Sequence, residues 1–214
     1  MLGAILEATK QLLEAGAAIF GVRRGTEVPA HTVEQLTDGV QICRYGPRIA
    51  AETTVTADEE AARNVGFRRL AGYIFGGNHA ETKIEMTAPV AQQSGGDRGE
   101  KIAMTAPVSQ RAADDGQWVI RFFMPVEMTM ESLPQPNDPA VRLVAVPAET
   151  VAVRRFTGSY TPSAVASQTA ALLRTLRETG FQPAGTPSAW FYDPPWTLPM
   201  LRRNEIAAPI KPES

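Results

Sequence analysis

Methionine, histidine, cysteine and arginine carry the chemistry open to this chain, and their spacing narrows it sharply. One octapeptide occurs twice, as Lys83-Ile-Glu-Met-Thr-Ala-Pro-Val90 and Lys101-Ile-Ala-Met-Thr-Ala-Pro-Val108, with seven of eight positions matching at an offset of 18 residues. The copies set Met86 and Met104 at equivalent places, so two soft, polarizable side chains either line an apolar slot or fill a core gap. His31 and His79 are the two histidines, which excludes a multi-histidine metal centre. Cys43 is the single cysteine, so an internal disulfide is impossible and a reducing compartment is compatible. Nothing in the sequence places a histidine beside it to make it a nucleophile. There is no Gly-x-Ser-x-Gly elbow, Walker loop or dinucleotide fingerprint, and no carboxylate pair stands out as general acid and base. Arginine pairs at 68–69, 154–155 and 202–203 read as solvated faces or carboxylate partners. The run Leu201-Arg-Arg-Asn-Glu-Ile206 reads as a surface or edge segment with Arg–Glu pairing.

These residues must be held by a body of ordinary composition. The chain has 214 residues, 43% hydrophobic and 21% charged, enough for one large domain or two small ones with a sizeable core. A net charge of −2 gives no electrostatic footprint for nucleic acid. Residues 2–20 carry apolar side chains at helical spacing, interrupted by Glu7, Lys10 and Glu14. That pattern predicts an amphipathic helix over 1–26, too interrupted to span a membrane. It packs on the body of the protein, or else offers a peripheral membrane or oligomer contact. No convincing signal peptide precedes it, so cytoplasmic is the default expectation.

From residue 27 to 210 one domain is expected, in two halves covering about 38–128 and 140–208. The first opens with strands over 40–45 and 48–55. Asp58 then caps a helix whose buried stripe is Ala62, Val65, Leu70 and Tyr73, with Gly76-Gly77 at its end. The octapeptides read as twin strands joined by a glycine-rich loop, followed by a strand over 118–125. The second half has strands at 141–146 and 150–156, and a helix started by Thr161-Pro162 and stopped at Gly180. Strands over 189–192 and 204–208 close it. The openings Val40-Gln-Ile-Cys-Arg-Tyr-Gly and Val151-Ala-Val-Arg-Arg-Phe-Thr-Gly look alike. The expected fold is α+β: two pseudo-symmetric βαββ-type repeats forming a distorted, mainly antiparallel β-barrel with two packed helices. A groove between the halves is the natural ligand site.

Three ordered motifs together resemble the SOUL haem-binding protein family: the doubled octapeptide, Tyr73-Ile-Phe-Gly-Gly-Asn78, and Tyr192-Asp-Pro-Pro followed by Arg202-Arg-Asn-Glu-Ile206. The resemblance runs from about Val28 to Ile206. It implies the same two-repeat fold and the binding of haem or a free porphyrin in an apolar groove, as carrier or buffer. In that family the groove lies along the first helix and against the Tyr-Asp-Pro-Pro loop. Carried across, the groove residues are Arg63, Gly66, Phe67, Leu70, Met86, Met104, Tyr192 and Trp196. Arg63 matches a basic residue and Tyr192 an aromatic; Leu70 and Gly66 stand where methionines occur, and Ala71 replaces a lysine. Missing bulk at Gly66 is expected to open room over the helix. A porphyrin is a flat apolar disc with two carboxylates, and Arg63, Arg68 and Arg69 supply rim charge. His79 is the candidate axial ligand to haem iron.

Two other classes stay open. A module binding small apolar or cationic effectors needs an acidic residue in the groove, and Glu85 is the one to examine. A hydrolase of a hydrophobic substrate needs an activated nucleophile, which the sequence does not show.

Overall fold

The computed structural model describes residues 28–37, 39–79, 99–114, 116–193 and 197–211. The N-terminal helix, the first octapeptide with Glu85 and Met86, and Trp196 lie outside them. The elements follow as β1 (His31–Thr37), β2 (Val40–Tyr45), β3 (Arg48–Thr56), α1 (Glu59–Ile74) and β4 (Asn78–His79). Next come β5 (Val108–Ala112), β6 (Gln117–Phe123), β7 (Gln135–Pro136), β8 (Arg142–Val146) and β9 (Glu149–Phe156). The chain ends with α2 (Pro162–Glu178), β10 (Ser188–Phe191) and β11 (Asn204–Pro209).

Nine strands form one antiparallel sheet in the order β1-β2-β9-β11-β10-β5-β6-β3-β8, while β4 pairs with β7 apart from it. Read outward from the central β10–β5 pair, both sides run in one pattern. On one side β5, β6 and β3 follow with α1 packed over β6 and β3; on the other β10, β11 and β9 follow with α2 over β11 and β9. Each side is then extended by a strand from the opposite half, β8 against β3 and β2 against β9. The likeness between the segments at 40 and 151 therefore marks a bonded pair, with Val40 opposite Arg154, and not two equivalent strands. β1 and β8 end the order without pairing to each other. The sheet is an open half-barrel, which corrects the expected barrel.

Both helices form for local reasons. The Asp58 carboxylate accepts from the Ala61 amide at 2.9 Å, and Glu59 and Glu60 occupy the positive helix end. Thr161 accepts from the Ala164 amide, with Pro162 at the first helical position. Gly76 follows α1 with φ +107°, a conformation that favours glycine. α1 buries Ala62, Gly66, Leu70 and Tyr73 at near-helical intervals, and α2 buries Leu172 and Leu176. Each of these fully buried leucines contributes about 1.5–3 kcal/mol relative to exposure. The helices share one face of the sheet: Val108 packs with the α1 cluster, its cross-strand partner Phe191 with the α2 cluster.

Two strands escape the sequence pattern. β1 is a mostly exposed edge, so its side chains need no apolar alternation. β5 is central yet reads Val-Ser-Gln-Arg-Ala, with Ser109 and Gln110 buried. The second octapeptide is not the strand its alternation suggested. Ile102 joins the α1 cluster and donates its amide to Ile74, Thr105 bonds the Phe123 carbonyl, and Ala106 joins the cluster on the opposite face. Thr105 makes a single bridge and Val108 begins the ladder, with Pro107 between them lacking an N–H to give. The Ala106–Pro107 peptide is cis. The segment 201–206 is likewise not an edge: β11 lies inside the sheet, with Asn204 and Glu205 buried.

Candidate functional site

The furrow between the two helices runs over the central β5–β10 pair. Gln110 stands on its floor, opposite Ala189 on one side and Ile120 on the other. Its Nε2 donates to the Glu59 carbonyl at 2.8 Å in the first turn of α1, while its Oε1 has no partner among the described residues. One turn further along α1 stands Arg63, 9% exposed. Its guanidinium carbon lies 4.8 Å from the centre of the Tyr160 ring and 5.3 Å from that of Phe191. Those two rings touch at 5.2 Å between centroids. The Arg63 Nη1 donates to nothing among the described residues. A buried guanidinium with an idle donor is costly, because it has given up water without recovering the bond. Burial raises the Glu59 carboxyl above its ordinary value, against the opposing pull of Arg63.

A second cation reaches the same ring. The Arg202 guanidinium carbon lies 4.6 Å from the Tyr160 ring centre, and its Nε donates to the Thr197 carbonyl at 2.8 Å. The loops are tied together: the Gly158 amide donates to Pro199 at 2.9 Å, and Asn204 Nδ2 donates to Gly158 at 3.3 Å. The 3-10 turn Pro199–Leu201 then presents Leu198, Met200 and Leu201 to solvent, Met200 at 71% exposure. Large apolar side chains grouped on a surface mark a contact site.

The other residues anticipated for the groove are spread more widely. Gly66 faces the sheet, where an added Cβ would come within 2.7 Å of Ile120. Its missing side chain is filled by Ile120 and opens no room above α1. Leu70 is fully buried in the core, and half-buried Phe67 meets Phe122 edge-on at 5.4 Å. Arg68 is exposed, while Arg69 reaches the Thr53 hydroxyl on β3. Met104 is 39% exposed. His79 is exposed beyond the C-terminal end of α1, whereas Arg63 lies near its start.

Tyr192 stands on the opposite face of the sheet from Arg63, in a cluster with Trp190, Tyr45 and Cys43. Its hydroxyl donates to Glu205 at 2.7 Å, and Arg203 donates to the same carboxylate at 2.7 Å while stacking 4.0 Å over the Tyr192 ring. Burial, then the Glu205 charge, pushes the Tyr192 hydroxyl far above its ordinary range. The same causes raise the Cys43 thiol to about 11. A buried thiol raised in this way is a poor nucleophile at neutral pH. Among the described residues no group of three His, Cys, Asp or Glu could hold a metal ion, and no helix is long and apolar enough to cross a membrane.

Sequence reasoning named Arg63 for the groove and did not name Gln110, Tyr160 or the part played by Arg202. A polar Ser-Gln pair placed directly after an apolar octapeptide is the one signal that pointed to Gln110.

Comparison with known proteins places the sequence in a family. The chain is 31% identical over 174 residues to heme-binding protein 2 of Mus musculus, covering 78% of this chain and 75% of the relative. Among solved structures it is similar to the EcmrR C-terminal domain, with TM-score 0.57, 10% identity, and coverage of 86% of this chain and 99% of that one. It is also similar to a hydrolase from Listeria innocua, with TM-score 0.54, 11% identity, and coverage of 83% and 94%. At such identities these structures share the fold alone. The family model described as SOUL heme-binding protein matches residues 26–98 and 92–209, so the chain belongs to the SOUL heme-binding protein family.

Proposed function

We propose that this protein binds a tetrapyrrole, haem or free porphyrin, as a carrier or buffer. The seat is the outer face where α1 meets the loop at 197–202. The reading rests on one observation: Arg63, nine-tenths buried between Tyr160 and Phe191, keeps an Nη1 donor without a partner among the described residues. A propionate supplies the missing acceptor, and a charge-assisted bond to a buried guanidinium is worth about 1.5–3 kcal/mol. Leu198, Met200 and Leu201 offer the disc an apolar wall, and Arg202 brings a second cation within reach of a second propionate. The bound group would supply its own iron chemistry; the chain's part is to hold the macrocycle and neutralise its carboxylates.

The effector-module reading draws on the fold shared with the EcmrR domain. It wants a buried acid in the furrow, and the buried charge there is cationic, which favours an anionic ligand. Glu52 and Glu205 are buried acids on the other face, each bonded to arginine. The hydrolase reading has no activated nucleophile among the described residues to support it.

Absorbance titration with hemin, and separately with protoporphyrin, tests the proposal. The expected result is a Soret shift that saturates near one equivalent and weakens at least tenfold in Arg63→Met. Equal affinity in Arg63→Met, or no shift at micromolar hemin without detergent, overturns it. His79→Ala distinguishes the modes: a displaced Soret maximum means that His79 ligates the iron, and an unchanged one means that the porphyrin is held without it.

A further inference from the structure

The face of the sheet turned away from the helices carries cavities of its own. One of about 200 Å³ is lined by Ser109, Arg111, Arg121, Phe123, Ser188 and Trp190 among others. A second of about 420 Å³ includes Tyr45 in its wall, and Glu149 and Pro209 line both. Arg48 marks the junction. Its guanidinium carbon lies 4.2 Å from the Tyr45 ring centre and 4.3 Å from that of Phe123, one ring belonging to each cavity. It is ion-paired to Glu149, the carboxylate common to both. The Arg48 side chain is 8% exposed, yet its Nε and Nη1 have no partner among the described residues. Burial lowers its guanidinium below the ordinary value, against the pull of Glu149.

The charge on this face is unbalanced. Glu52 accepts from Arg121 and Arg142, and Glu149 pairs with Arg48, while half-buried Arg111 meets no acid among the described residues. Arg111 and Arg121 line the smaller cavity, and among the described residues Glu149 is the one acid lining either. Hydroxyls of Ser109 and Ser188 and the indole of Trp190 complete a polar wall with an aromatic side. Guanidinium donors fixed in a partly enclosed site are suited to an oxyanion, which accepts two parallel bonds from one fork.

We propose that this inner-face cavity is a binding site for a small molecule carrying an oxyanion, carboxylate or phosphate monoester, distinct from the tetrapyrrole seat. Arg111 and Arg121 hold the oxyanion, Arg48 adds its charge from behind the lining Phe123 and Glu149, and the aromatic side accepts the body of the ligand. The site does not depend on the tetrapyrrole proposal, since no residue is shared between the two.

The test is isothermal titration of the full chain at low ionic strength with inorganic phosphate and, separately, with benzoate. Saturable one-to-one binding of at least one anion is expected, and the tighter of the two identifies the oxyanion class. Arg111→Gln should weaken it at least tenfold while the hemin titration is unchanged. Arg48→Met should abolish it; should that variant fail to fold, the half-exposed Arg111→Gln decides alone. No saturable heat with either anion at millimolar concentration, or equal affinity in Arg111→Gln, overturns the proposal.

Discussion

Arg63 and Arg48 stand on opposite faces of one sheet, each with its guanidinium against two aromatic rings. Arg48 is ion-paired to Glu149; among the described residues Arg63 has no ion-paired acid, and the buried polar side chain near it on the furrow floor is the neutral Gln110. The inner face is polar and held together by arginine–carboxylate bonds: Glu52 with Arg121 and Arg142, Glu149 with Arg48, Glu205 with Arg203 and Tyr192. The outer face is held by apolar helix packing, and Arg63, buried there against two rings, bears the desolvation cost of an Nη1 donor that has no partner among the described residues. A cost that stability does not explain points to a ligand. Removing a charge should therefore cost more on the inner face than on the outer.

The largest test of that contrast is Glu205→Ala. It strands the Tyr192 hydroxyl and Arg203 on the inner face, and about 3–5 kcal/mol should be lost in urea denaturation. An unchanged midpoint would remove the network from the account. Next, Arg48→Met should lower stability by about 1–3 kcal/mol by stranding Glu149, whereas Arg63→Met should cost no more than about 1 kcal/mol, chiefly its contacts with the Tyr160 and Phe191 rings. Equal losses in the two variants would erase the distinction between the faces. Gly66→Ala drives a Cβ into Ile120 and should cost about 1–2 kcal/mol after the gain in helix propensity is subtracted.

Acid should act on the inner face. Burial alone would raise the Glu52 carboxyl, but the hydrogen bonds and charges of Arg142 and Arg121 outweigh it and hold the carboxyl below its ordinary value. A depressed carboxylate stabilises the fold fully above its unfolded pKa of about 4.3, and this is lost as pH falls through the lower folded value. Glu52→Gln should therefore flatten the fall in urea midpoint below about pH 4. The smallest effect concerns Cys43, whose raised thiol should leave it unlabelled by iodoacetamide at pH 8 in the native protein. Ready labelling would show that the inner face opens.

Asp58 and Thr161 were legible as helix caps because capping needs only a short side chain one turn from the amide it accepts. Most of the sheet was legible for a similar reason: strands such as β2, β3 and β9 alternate or run apolar in a way no helix would. The family motifs also brought Arg63 forward. Alternation failed at 101–108, where Thr105 and Pro107 take the chain from one face to the other. It failed again at β5, since Gln110 is polar in sequence and buried only because Ala189 and Ile120 flank it.

The order of residues along the chain, through local sterics and hydrogen-bond supply, determined where helices begin and end, most strands, and the membership of a haem-binding family. Which side chains meet was left to tertiary structure. Tyr192 follows Phe191 directly, yet the pleat sends them to opposite faces, one to Glu205 and the other to Arg63. Likewise Gly66 promised space and Ile120 took it, because packing density is settled by partners far apart in sequence.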